Sequence, residues 1–135
     1  MRLTRHSTNA EILQVLNNTA DAVSQVLATN TDWSLSGIRH TQYSVDVRAD
    51  NAALAVLHEA GCAVLSEESQ ITGQWGDDDI LVVMDPLDGS TNASRAGVAA
   101  TIGVRFWSYC VTKSSRSRCS DVATPASWQM RILAR

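Results

Sequence analysis

The sequence predicts an α+β fold, with helices first and a sheet after them. Three observations carry this expectation. Two stretches with helical apolar spacing fill much of the first 60 residues. A continuous apolar run, Ile80-Leu81-Val82-Val83-Met84, has the form of a strand covered on both faces. The chain has 135 residues, enough for one modest domain.

Each element follows in order. Residues 8–28 place Ile12, Val15, Leu16, Val23, Val26 and Leu27 at helical spacing. Thr8 followed by Glu11 predicts a capping box, in which each side chain satisfies a free backbone N–H of the first turn. Asn30 to Gly37 reads as a loop. A second helix is expected from Ala49 to Ala60, with Ala52, Ala53, Val56, Leu57 and Ala60 on its apolar face and Gly61 as its stop. Cys62 to Ser66 reads as a short buried strand, and the polar stretch Glu67 to Asp79 as a loop or hairpin connection. The Ile80–Met84 strand is expected to end at Asp85-Pro86, after which Ser90-Thr91-Asn92 can cap a helix. Past about Ala96 the periodicity is lost, and Phe106, Trp107 and Trp128 stand without a helix or strand pattern.

Composition excludes several classes. With 44% hydrophobic and 19% charged residues, the chain reads as soluble and globular. No apolar run reaches the roughly 18 residues that span a bilayer. Met1-Arg2-Leu3-Thr4-Arg5-His6 has no apolar core after it, so no signal peptide is expected and the cytoplasm is the default compartment. Cys62, Cys110 and Cys119 give neither a disulfide framework nor a zinc spacing. Cys62, among Gly61, Ala63, Val64 and Leu65, is expected to be a small buried hydrophobe. His6, His40 and His58 are scattered and carry no role. Thirteen acids face five Lys/Arg through residue 104, whereas Asp121 alone faces six from residue 105 on. A nucleic-acid or membrane role for Arg105, Lys113, Arg116 and Arg118 lacks any aromatic–basic interleaving or known module, so neither partner is expected. Asp77-Asp78-Asp79 is expected to be a solvated loop rather than a metal cluster.

The chemistry concentrates in Asp85-Pro86-Leu87-Asp88-Gly89-Ser90-Thr91. Two carboxylates three residues apart leave a rigid strand, and the proline between them stiffens the turn. Oxygen ligands of this kind suit a hard cation such as Mg²⁺. Gly89 permits close backbone approach to a ligand. The N–H groups of Gly89, Ser90 and Thr91 at a helix start offer an anion site. A metal beside an anion hole serves phosphate-ester hydrolysis. Taken alone, two aspartates at a strand end can equally be a solvated turn, Glu67 and Glu68 a polar loop, and Asp50 a helix cap.

The longer string decides between these readings. Asp85 to Asn92 resembles the D-P-[ILV]-D-G-[ST]-T-N signature of the inositol monophosphatase family, whose superfamily includes fructose bisphosphatases. Ser66-Glu67-Glu68-Ser69 resembles the family's G-E-E-S segment, and Tyr43 to Asp50 the stretch in which an aspartate opens the second helix. The resemblance covers roughly residues 8–95. It implies a partial αβαβα layered sandwich, with N-terminal helices plus sheet. It implies Mg²⁺ as cofactor, with Glu67, Asp85, the Leu87 carbonyl and Asp88 matching metal ligands. Gly89, Ser90 and Thr91 match the phosphate-binding donors. Ser90 with Asp50 matches the pair that orients the attacking water, on which Glu67 acts through its metal. The implied activity is Mg²⁺-dependent hydrolysis of a small phosphate monoester such as inositol monophosphate. The alternative is a non-catalytic remnant that at most binds a divalent ion. A small phosphorylated substrate is the expected partner, with a homodimer suggested by the family.

Two departures from the family are visible. Asp46-Val47 stands where the family commonly has V-T. The W-D-x-A-A-G type motif of the family's later half has no match in residues 96–135. Residues 1–95 are therefore expected to form the metal- and phosphate-binding portion, and 96–135 a divergent tail, disordered or of frameshift origin. On that reading the Ile80–Met84 strand would be left with one open edge.

Overall fold

The computed structural model describes residues 1–76, 78–95, 101–109 and 129–133. For the last two stretches, and for Asp88, Asn92, Ala93 and Arg95, the description is of the backbone alone. Asp77, Cys110, Lys113, Arg116, Arg118, Cys119, Asp121 and Trp128 lie outside the described residues.

The element order is α1 (Asn9–Ala28), α2 (Ser44–Glu59), β1 (Ala63–Ser66), β2 (Gln70–Thr72), β3 (Leu81–Asp88), α3 (Ser90–Arg95), β4 (Thr101–Tyr109) and β5 (Gln129–Leu133). The strands form one mixed sheet in the order β2-β1-β3-β4-β5. β1 and β3 run parallel, and every other pairing is antiparallel. This is the α+β class expected from the sequence. Among the described residues no helix is long and apolar enough to cross a membrane.

α1 starts as its capping box dictates. The Glu11 N–H donates to Thr8 Oγ1 at 3.3 Å, and the Thr8 N–H donates to Glu11 Oε2 at 2.7 Å. α2 starts five residues before the expected position, because a carboxylate does the capping from inside the helix. Asp46 Oδ2 accepts the Tyr43 N–H at 2.8 Å, closing the first turn without a Ser or Thr cap. The buried face of α2 is Val45, Asp46, Ala49, Asp50, Ala53 and Leu57. Its two alanines keep that face flat against α1 and the sheet. The core joins this face to Leu3, Val15 and Val23 on one side and to Cys62, Val64, Ile80, Val82, Met84 and Leu87 on the other. Cys62 is buried as expected, and burial, with the Asp79 charge nearby, pushes its thiol up to about 11.

Two expectations change. β3 does not stop at Asp85. It continues through Pro86 and Leu87 to Asp88, with its pairing to β4 shifting register between Asp85 and Asp88. A bulge is where a strand tolerates a proline, since the missing N–H then breaks no ladder bond. The chain turns at Gly89 instead, whose φ is +93°. A Cβ there would meet nothing within 4 Å, so the glycine answers to the backbone angle rather than to crowding. The second change concerns the far side of β3. It is not an open edge: β4 pairs with it from Leu81↔Tyr109 to Asp88↔Gly103, and β5 pairs with β4.

Asp78 and Asp79 behave as the polar loop reading requires. They pair with Arg5 at 2.7 Å and Arg2 at 3.1 Å, tying the N-terminal segment to the loop before β3.

Candidate active site

The register of the two parallel strands builds the site. Ser66 of β1 is level with Met84 of β3, and the Glu67 N–H donates to the Met84 carbonyl at 3.2 Å. The next residues, Glu67 just past the end of β1 and Asp85 at the start of the β3 bulge, therefore stand side by side at the carboxyl edge of β1. This is the edge at which open sheets with parallel strands place ligands. A cleft of about 220 Å³ opens there. Its walls are Arg39, Thr41 and Gln42 from the loop before α2, Asp46 from the first turn of α2, and Glu67 and Glu68 from the turn after β1. Asp85 and Leu87 of β3, with Gly89, Ser90 and Thr91 at the start of α3, complete it.

Six of the residues singled out from the sequence thus meet in one cleft: Glu67, Asp85, Leu87, Gly89, Ser90 and Thr91. Asp85 Oδ1 accepts the Leu87 N–H at 3.2 Å, which holds the bulge around Pro86. The side chain of Asp88 lies outside the described residues. Asp50 is not in the cleft wall. It is buried one helical turn further along α2, where its Oδ1 accepts the Ser66 hydroxyl. The carboxylate beside Ser90 is that of Asp46, which the sequence reading noted only as a departure from the family pattern. Asp46 and Asp50 stand four apart and share one helix face, which marks both as candidates without choosing between them.

Sequence reasoning also missed Arg39 and Gln42. Gln42 Nε2 donates to Glu68 Oε2, and the Arg39 guanidinium lies 3.5 Å from the same carboxylate. Arg39 further donates from Nη1 to the Glu67 carbonyl at 3.2 Å and from Nη2 to the Glu68 carbonyl. These contacts join residues 26 to 29 apart, and no local pattern announces them.

The electrostatics are crowded. Among the described wall residues, Asp46, Glu67, Glu68 and Asp85 face the single guanidinium of Arg39. Burial pushes the Asp46 carboxyl above its ordinary value, and the Glu67 charge adds to this; the Tyr43 N–H and the Ser90 hydroxyl pull the other way. Burial likewise raises Glu68, aided by Asp46 and Glu67 and opposed by Gln42 and Arg39. Asp46 Oδ1 is buried without a hydrogen-bond partner. An orphaned carboxylate oxygen in a wall of carboxylates suits a hard, oxygen-seeking cation. Among the described residues no group of three or more His, Cys, Asp or Glu is gathered tightly enough to hold a metal by itself. Two of the three carboxylates expected as ligands, Glu67 and Asp85, are in the wall, and the donor chemistry fits the ion.

No family model matches the chain. A fructose-1,6-bisphosphatase/inositol-1-monophosphatase of Archaeoglobus fulgidus is 42% identical to it over 63 residues, which is 47% of this chain and 24% of that protein. The chain therefore spans about a quarter of that relative's length. The crystal structure of Leishmania major fructose-1,6-bisphosphatase in its holo form superposes with a TM-score of 0.52 at 21% identity, over 72% of this chain and 32% of that one. The extragenic suppressor protein SuhB from Bartonella henselae gives a TM-score of 0.52 at 24% identity, over 73% of this chain and 41% of that one. The fold is a part of the fold these proteins share. The resemblance to the inositol monophosphatase family, first read from Asp85 to Asn92, is carried by the aligned sequence, and the two solved structures add the shared fold.

Proposed function

We propose that this chain carries the metal- and phosphate-binding part of a Mg²⁺-dependent phosphatase that hydrolyses a small phosphate monoester, with inositol monophosphate as the first candidate. The observation that supports it most is the cleft at the ends of β1 and β3, where carboxylates crowd and Asp46 Oδ1 has no partner. The similarity to a fructose-1,6-bisphosphatase/inositol-1-monophosphatase adds to it.

Glu67 and Asp85 would hold the ion, with the Leu87 carbonyl and Asp88 as the further ligands that the family resemblance implies. Magnesium bound there would offset phosphate charge and favour ionisation of a water. Gly89, Ser90 and Thr91 are the backbone donors at hand for phosphate oxygens. Asp46 takes the water-orienting role beside Ser90 that the sequence reading gave to Asp50. It stands in the cleft wall next to Ser90 and keeps an oxygen without a protein partner, which a water admitted there would find as an acceptor. Such hydrolysis needs mainly positioning and charge stabilisation, which these residues supply without a cysteine or histidine nucleophile.

The test is phosphate release from inositol monophosphate by the purified chain, with and without Mg²⁺, beside Asp85→Asn. Mg²⁺-dependent release is expected, falling at least about 100-fold in the variant, as loss of a direct ligand should exceed the effect of an outer-shell one. Mg²⁺ binding without release would leave the ion site and remove the hydrolase, which is the remnant reading. Release indifferent to Mg²⁺ would reject the proposal.

A further inference from the structure

α2 carries two buried carboxylates on one face, and they have different surroundings. Asp46, 2% exposed, belongs to the cleft wall and keeps one buried oxygen without a partner. Asp50, 3% exposed, is closed on β1. Its Oδ1 accepts the hydroxyl of Ser66, also 3% exposed, and the same hydroxyl oxygen accepts the Glu68 N–H at 3.1 Å. The chain from α2 thus runs Asp50 carboxylate, Ser66 hydroxyl, Glu68 amide. It ends in the turn that presents Glu67 to the cleft.

We propose that Asp50 and Ser66 form a positioning pair that shapes the Glu67-Glu68 turn for cation binding, an inference that rests on the metal-site reading above. Glu67 is exposed and comes directly after the four-residue strand β1, so its own packing does little to fix it. Its place is set through the backbone instead. The Glu67 N–H is held by the Met84 carbonyl and the Glu68 N–H by Ser66. An ionised or polar acceptor such as Asp50 orients the serine hydroxyl so that its oxygen faces the amide. Outer-shell hydrogen bonds of this kind hold ligands in a productive orientation before the ion arrives. Neither residue lines the cleft, so neither would touch an ion or substrate held in it.

The experiment uses the full chain and Mn²⁺ as probe, with affinity read by calorimetry and amide protection by hydrogen exchange. Ser66→Ala is expected to weaken Mn²⁺ roughly tenfold and to speed exchange at the Glu68 amide, whereas Ser66→Thr, which keeps the hydroxyl, retains both. Ser66→Ala leaves Asp50 buried and unpaired, which by itself destabilises the fold. The double variant Asp50→Ala/Ser66→Ala removes that penalty and is expected to recover melting temperature while Mn²⁺ affinity stays low. A folded Ser66→Ala chain that binds Mn²⁺ as wild type overturns the proposal. So does a double variant that recovers affinity together with stability, since the pair would then be structural only. Failure of the wild-type chain to bind Mn²⁺ overturns the metal reading itself, and it shows before any variant is made.

Discussion

In the helical layer, polar side chains close on their neighbours. Thr8 and Glu11 cap one another, Thr19 Oγ1 donates to the Val15 carbonyl at 2.8 Å, and Ser24 Oγ donates to the Ala20 carbonyl at 2.7 Å. The core face beneath is Val15, Val23, Ala49, Ala53 and Leu57, all but removed from water. At the cleft edge the same chain does the reverse. Carboxylates crowd one wall, Asp46 Oδ1 is buried unpartnered, a proline sits in a strand at a register shift, and Gly89 takes a left-handed backbone. Local rules that agree with one another mark the part of a fold that stabilises it; rules broken together mark the part that does chemistry.

The largest break is expected in the helical layer. Leu57 is fully buried at the junction of α2 with the sheet. Leu57→Ala should cost about 3 kcal/mol, as deletion of a buried leucine leaves a cavity. Chemical denaturation would measure it, and the chain that remains folded should bind Mn²⁺ with unchanged affinity. Lost affinity in that folded fraction would mean that the two regions are coupled. A smaller effect is expected at the cleft. Gly89→Ala meets open space, so its cost is the backbone angle alone, about 1–2 kcal/mol. If the turn relaxes to avoid that angle, phosphate release should fall by more than the stability loss explains. An unchanged rate at unchanged stability would show that the φ of Gly89 does not matter to the site.

The two regions were also unequally legible. α1 was readable because its period and its Thr8-x-x-Glu11 cap agree within one segment, and β1 because Gly61 separates its apolar run from the helix before it. The start of α2 was misread because its cap is Asp46, a carboxylate at the third helical position, and no Ser or Thr precedes it as a side-chain cap. β3 was expected to stop at Pro86, since a proline signals a strand end unless a bulge absorbs it. At the site, Glu67, Asp85 and Gly89 to Thr91 came from one string and its neighbour, and the parallel register of β1 and β3 brings them together. Asp50 was given the place beside Ser90 that Asp46 occupies, because helix phase over four residues cannot say which of two stacked carboxylates faces a cleft. Arg39 and Gln42 reach Glu68 across more than twenty residues, which only the folded chain reveals.

The subtlest difference between the regions should appear on titration. Asp46 and Glu68 have carboxyls raised by burial above ordinary values of 3.8 and 4.5. A group whose pKa is raised on folding favours the fold fully below its unfolded pKa, and that contribution is lost as pH rises through the folded value. Without divalent ions the melting temperature should therefore decline as pH climbs just above the ordinary carboxylate range. Glu11, Asp32 and Asp79 are shifted the other way, by hydrogen bonds to Thr8, Ser34 and Gly76, so their contribution is lost only as pH falls below that range. The two windows do not overlap. Melting curves from about pH 4 to about pH 7 would isolate the cleft, with Asp46→Asn flattening part of the decline. Saturating Mg²⁺ should flatten it as well, because a cation in the cleft takes the place of the protons. Identical slopes in wild type and Asp46→Asn would show that Asp46 is not strained by its burial, and its place as the acceptor beside Ser90 would fall with that result.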